Sequence, residues 1–176
     1  MTDTNKLQSA VAYLARKLTP GKVKLFKLLF LADFTAYARL GHSISTDTYE
    51  NFEMGPVPVT LWKQFQDITR ECVDIVEVET GLIPEQQMRP RAGFQVALSA
   101  DERIVLDEIV ERFGALSGNQ LRDYAHMTIP YRATQRGETI PYGLAAYLEY
   151  KKPTRADLDR LLQDSDLMNE LRVALE

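Results

Sequence analysis

Cysteine, histidine and tryptophan are scarce in this chain: one, two and one among 176 residues. With Cys72 alone, no intramolecular disulfide can form, which fits a reducing compartment. His42 and His126 lack the paired Cys and His neighbours that structural zinc sites use, and no His-Glu-x-x-His motif is present. The nine glycines build neither a dinucleotide-binding nor a phosphate-cradling loop pattern. No metal or cofactor is therefore expected. Positive charge is also in short supply. There are 21 basic against 25 acidic residues, a net charge of −4 and a pI near 5.3. That balance disfavours non-specific binding to nucleic acid or anionic lipid and suits a basic protein partner. Long apolar runs are missing too. Charges interrupt every one, with Lys27 and Asp33 bracketing the densest, so none approaches the ~20 residues of a membrane span. Met1 to Gln8 carry no apolar leader-like core, and a cytoplasmic setting is expected.

Hydrophobic residues make up 45% and charged residues 26% of the chain, the balance of an ordinary globular domain. Leu7, Val11, Leu14 and Leu18 recur at helical spacing and predict a first helix from about Asn5 to Leu18, ended by Thr19-Pro20-Gly21. Val23 to Leu40 is apolar almost all round, the mark of a helix in the middle of a fold, with Gly41 as its stop. Thr48 to Glu53 reads as an extended segment. Gly55-Pro56-Val57-Pro58 reads as a rigid connector: two prolines fix the backbone, and both residues preceding them are pushed towards extended geometry. Leu61, Trp62, Phe65 and Ile68 then share one helical face. The β-branched run Val73 to Glu79 predicts a strand, with Gly93 to Leu98 as its partner and Pro84 to Arg91 as a mobile loop between them. Ser99 with Glu102, and Ser117 with Gln120, are capping-box patterns opening two further helices. Met127 to Tyr142 is a polar and aromatic segment. Thr154 to Glu176 predicts a last amphipathic helix. The expected architecture is mainly α with a small antiparallel β element (α+β), a single compact helical domain over residues 5–150, and a C-terminal helix over 151–176 packed on it.

Few residues carry candidate chemistry. Cys72 continues the apolar face of Phe65 and Ile68 and reads as a small buried hydrophobe. Lys27 and Asp33 lie six residues apart, roughly 120° around a helix, so they should not pair with each other. Glu50 is the candidate partner for Lys27, as an ion pair fixing the helix. A hydrolase reading would use His126 with Asp123 or Glu138. Asp101 to His126 has the outline of a helix-turn-helix. Its first helix presents five acids against Arg103 and Arg112, a surface that repels phosphate, so nucleic acid is not an expected partner.

These residues add up to a pattern. Lys24-Leu25-Phe26-Lys27-Leu28-Leu29-Phe30-Leu31-Ala32-Asp33-Phe34 resembles the signature helix of the Panacea domain, the SocA-like antitoxin family. Gly41 to Ile44, Tyr49-Glu50 and Gly55-Pro56-Val57-Pro58 follow in that family's order. Leu98-Ser99, Glu102, Phe113-Gly114, Leu121 and His126 resemble its second half. The resemblance implies a non-enzymatic bacterial or phage-associated antitoxin that neutralises a cognate protein toxin by direct binding. The alternative it offers is an adaptor delivering the toxin to a ClpXP-type protease. The family-motif positions are Lys27, Asp33, Tyr49, Glu50, Gly55, Pro56, Val57, Pro58 and His126. Trp62, Tyr131 and Tyr142, aromatic groups near irregular segments, are the candidate partner anchors.

Overall fold

The computed structural model describes residues 2–79 and 85–148. Helix α1 (Thr4–Leu18) opens on Asp3, whose carboxylate accepts from the backbone N–H groups of Asn5 and Lys6. It ends on Thr19 in the left-handed region. Helix α2 (Lys22–Leu40) is buried continuously from Leu25 to Ala36 and stops at Gly41, φ +79°. It is the axis of the molecule. Helices α1, α5 (Ala100–Phe113) and α6 (Gly118–Met127) and strand β2 (Gly55–Pro58) all pack on it.

The two capping boxes form as expected. Ser99 and Glu102 exchange hydrogen bonds with each other's backbone at the start of α5, as do Ser117 and Gln120 at the start of α6. Glu102 also receives Lys6 from α1 at 2.7 Å, so one buried carboxylate caps a helix and ties two helices together. The lysine and the two capping hydrogen bonds hold its pKa below the usual carboxylate value against the opposing effect of burial.

The β element is a three-stranded antiparallel sheet in the order β2-β1-β5 and a separate two-stranded hairpin. Strand β1 (Tyr49–Phe52) pairs with β2 through Tyr49–Pro58 and Phe52–Gly55, and with β5 (Thr139–Ile140) through Tyr49–Ile140. The two prolines sit in an edge strand, where a missing N–H is tolerated. Gly55 to Pro58 is thus a strand and not the expected connector. Gly55 itself is not in ordinary extended geometry: its φ is +91°.

Two further expectations are corrected. The partner of β3 (Val73–Val78) is β4 (Glu85–Pro90), registered from Val73–Pro90 to Val78–Glu85. Residues 94–98 form no strand. Strand β4 reads as polar because Met88 supplies its buried apolar contact, at 2% exposure. The expected loop from Pro84 to Arg91 is therefore mostly strand. The helix expected after Pro58 is split at Gln64 into α3 (Val59–Lys63) and α4 (Phe65–Cys72). The aromatic segment before Tyr142 contains the short helix α7 (Ile129–Arg132) as well as β5, and a 3-10 turn spans Tyr142–Tyr147. The helix expected over 154–176 lies outside the described residues.

Candidate functional site

Lys27, Phe30 and Phe34 project from one face of α2 towards the sheet, since positions 27, 30 and 34 lie nearly in line on a helix. Three buried polar centres occur between α2 and α6.

The first is Asp33, which is fully buried. Its Oδ1 accepts from the backbone N–H groups of Ile44 at 2.9 Å and Ser45 at 2.8 Å. Its Oδ2 accepts from the Tyr49 hydroxyl at 2.7 Å and from Ser45 Oγ. Burial pushes the carboxyl up to about 6, while the hydrogen bonds from Ser45, Tyr49 and Ile44 pull it down. Tyr49 is also fully buried, and burial next to the Asp33 charge raises its phenol well above the ordinary value. The ring packs edge-on against Phe30 and Phe34. Asp33 thus fixes the return of the chain after α2 and seats the first residue of β1.

Asp47 is the second centre, and nothing in its sequence neighbourhood marks it. It is fully buried. It accepts from Thr48 N at 2.8 Å and, thirteen and fourteen residues on, from Thr60 N at 3.0 Å and Leu61 N at 2.9 Å. It caps α3 from a distance, supplying acceptors where Pro58 at the N-cap offers none. Tyr142 donates to the Asp47 carbonyl at 2.7 Å and stacks on Tyr37 with ring centroids 4.9 Å apart. Thr46, immediately before, is held at φ +57°.

The third centre surrounds Gly55. Lys27 is 2% exposed, and its Nζ donates to the carbonyl of Pro56 at 2.8 Å. The expected ion pair with Glu50 does not form; a proline carbonyl takes its place, because Glu50 sits on β1 between Val57 and Thr139. Burial, then the nearby Arg122 charge, lowers the Lys27 amine to about 7. A Cβ built on Gly55 would lie 3.1 Å from Lys27 Cε and Nζ and 3.4 Å from His126 Nε2. His126 Nε2 is buried and has no hydrogen-bond partner. Burial, Lys27 and Arg122 all push the imidazole below its ordinary value, and a backbone hydrogen bond to Glu53 opposes them. His126 also packs on Tyr131, centroids 4.6 Å apart.

Of the candidate anchors, Trp62 is 43% exposed and lies on Phe52, centroids 5.1 Å apart. Tyr131 is half-buried, its hydroxyl donating to Phe52 O at 2.8 Å, and Tyr142 is half-buried and bound to Asp47. Asn51, another residue without a sequence signal, donates through Nδ2 to Tyr131 O, Thr134 O and Thr134 Oγ1. It thereby fastens β1 to the segment after α7. Cys72 is buried, and its thiol is pushed up to about 12 by burial, which leaves it inert as a nucleophile. No group of three metal-ligating side chains occurs among the described residues.

The acids proposed for a His126 hydrolase are engaged elsewhere. Asp123 binds Arg122 at 2.7 Å, and Glu138 accepts from Gln135 N. The second helix of the helix-turn-helix outline, α6, packs its Leu121 and Ala125 face against α2 and β2, so the arrangement serves packing. No helix of the described residues is long and apolar enough to cross a membrane.

An apolar central helix, a three-stranded sheet edged with prolines and buried Asp and Lys centres define a small α+β scaffold. Residues 25–130 match the family described as "Antitoxin SocA-like, Panacea domain", and the chain belongs to that family. No curated protein and no solved structure matches it. The match runs from α2 through the Asp33, Asp47 and Gly55 centres to α7.

Proposed function

We propose that this chain is the antitoxin of a toxin–antitoxin pair and neutralises a cognate protein toxin by binding it directly, without catalysis. The observation that carries the reading is the family match over the whole α2-to-α7 scaffold. The geometry supports it. The polar side chains of the scaffold are used to set backbone, and His126 has no carboxylate within hydrogen-bond reach among the described residues. A neutraliser needs a preformed surface with a few apolar anchors, and Trp62, Met54 and Met127 are 43%, 50% and 72% exposed.

Co-expression tests the reading. The neighbouring gene is induced alone and together with this chain, in cells with and without ClpXP. Rescue of growth in both backgrounds is expected. Rescue only where the protease is present would replace direct neutralisation by an adaptor role, and a neighbour that is not toxic would overturn the antitoxin reading.

A further inference from the structure

Among the described residues, most buried charges are answered by a partner. Glu102 meets Lys6, and Asp33 and Asp47 are ringed by donors. Lys27 is different. It makes no ion pair among the described residues, and its hydrogen bond goes to a single neutral carbonyl. An ammonium has three donors, so two are left over. His126 Nε2, reaching in from α6, is buried and unpartnered. Both nitrogens close on the point where any other residue would carry its Cβ. Arg122, four residues before His126 on α6, adds a permanent positive charge, its guanidinium half-buried and held by exposed Asp123.

A buried ammonium without a counter-charge is expensive, and an apolar residue of the same length would serve a purely structural role better. Met54 precedes Gly55 and Met127 follows His126, and both are well exposed. Methionine is a flexible, adaptable contact residue at binding surfaces.

We propose that Lys27, His126 and Arg122 around Gly55 form a receiving site for a carboxylate of the protein partner, closed in the unbound chain, where both nitrogens are buried, and opened as the partner docks, the acidic side chain being flanked by apolar contacts to Met54 and Met127. The partner half of this inference rests on the antitoxin reading. A carboxylate has two oxygens, one for the Lys27 ammonium and one for a protonated His126, and charge-assisted bonds of this kind are the strong ones. The groups facing the site are Arg122 and His126 from α6, with Asp123 weakly favouring protonation of His126. An arriving carboxylate stabilises the protonated forms of both Lys27 and His126. Binding therefore takes up protons and weakens as pH rises through and above 7, where free Lys27 is already losing its proton.

Two measurements decide it. Lys27 Cε and Nζ resonances in the full chain are followed while sodium acetate is titrated against sodium chloride at equal ionic strength. Acetate is expected to give a saturable shift and to raise the Lys27 titration midpoint by about one unit or more. An identical response to the two salts overturns the site. In the second measurement, Lys27→Met is expected to bind the neighbouring gene's product at least about tenfold more weakly while melting no lower than the parent at pH 6. Parental affinity in Lys27→Met overturns the partner assignment. If the parent chain does not bind that product, the antitoxin reading fails, and the acetate titration still decides the site.

Discussion

Gly55 is constrained in two ways at once. Its φ of +91° is a conformation that L side chains rarely adopt, and its missing Cβ leaves room for the end of Lys27. Gly55→Val meets both obstacles at once: backbone strain of about 1–3 kcal/mol and overpacking of about 1–3 kcal/mol. At roughly 2–4 °C per kcal/mol for a chain of this size, the melting temperature should fall by several degrees or more; an unchanged melting curve would contradict the geometry. Lys27 makes the opposite prediction. Its folded pKa of about 7 lies below the ordinary 10.5, so the native state binds fewer protons than the unfolded chain. Its contribution to stability is complete above about pH 10.5 and is lost as pH falls towards 7. Charged, it costs on the order of several kcal/mol. Lys27→Met should therefore stabilise the protein most at pH 7 and below, with the advantage shrinking between pH 7 and 10 in melts across that range. A Lys27→Met protein that melts lower than the parent at pH 6.5 would show that the Pro56 hydrogen bond outweighs the buried charge.

At the scale of elements, the helices were legible in the sequence and the β pairing was only partly so. Helix α2 announced itself by continuous apolarity, and the capping boxes of α5 and α6 by Ser and Glu or Gln three residues apart, because these are local signals. The partner of β3 was misread because β4 reads Glu-Gln-Gln-Met-Arg-Pro and keeps its strand through pairing and one buried methionine. Asp33, Lys27 and Gly55 stood out as charges or a glycine in improbable places. Their partners did not: Asp33 is bound by Ser45 and Tyr49, Lys27 by a proline carbonyl, and a main-chain acceptor leaves no trace in residue identity. Asp47 was missed for the same reason, since its ligands are N–H groups on a helix that begins twelve residues later. It is testable as a cap. Asp47→Ala strips Thr60 and Leu61 of their acceptor and should cost about 1–2 kcal/mol, read as a lower denaturant midpoint with an unchanged slope. A midpoint equal to the parent's would mean that water satisfies those groups.

At the scale of the molecule, the described residues form a packed frame in which one buried side-chain nitrogen, His126 Nε2, has no hydrogen-bond partner. Two acidic centres, Asp33 and Asp47, are fully answered and lock the chain between α2 and α3. Lys27 at the Gly55 centre makes no ion pair among the described residues, and Met54 and Met127, next to Gly55 and His126 in sequence, are exposed. The two acids weighed for a His126 hydrolase, Asp123 and Glu138, are committed to Arg122 and to the Gln135 turn. Neutralisation by direct contact is tested by calorimetric titration of the purified full chain with the purified product of the neighbouring gene, no protease present, alongside a toxicity assay of the mixture. A saturable complex and loss of toxic activity at equivalence are expected, both stronger at pH 6 than at pH 8.5. A toxin that stays active with this chain in excess would contradict it.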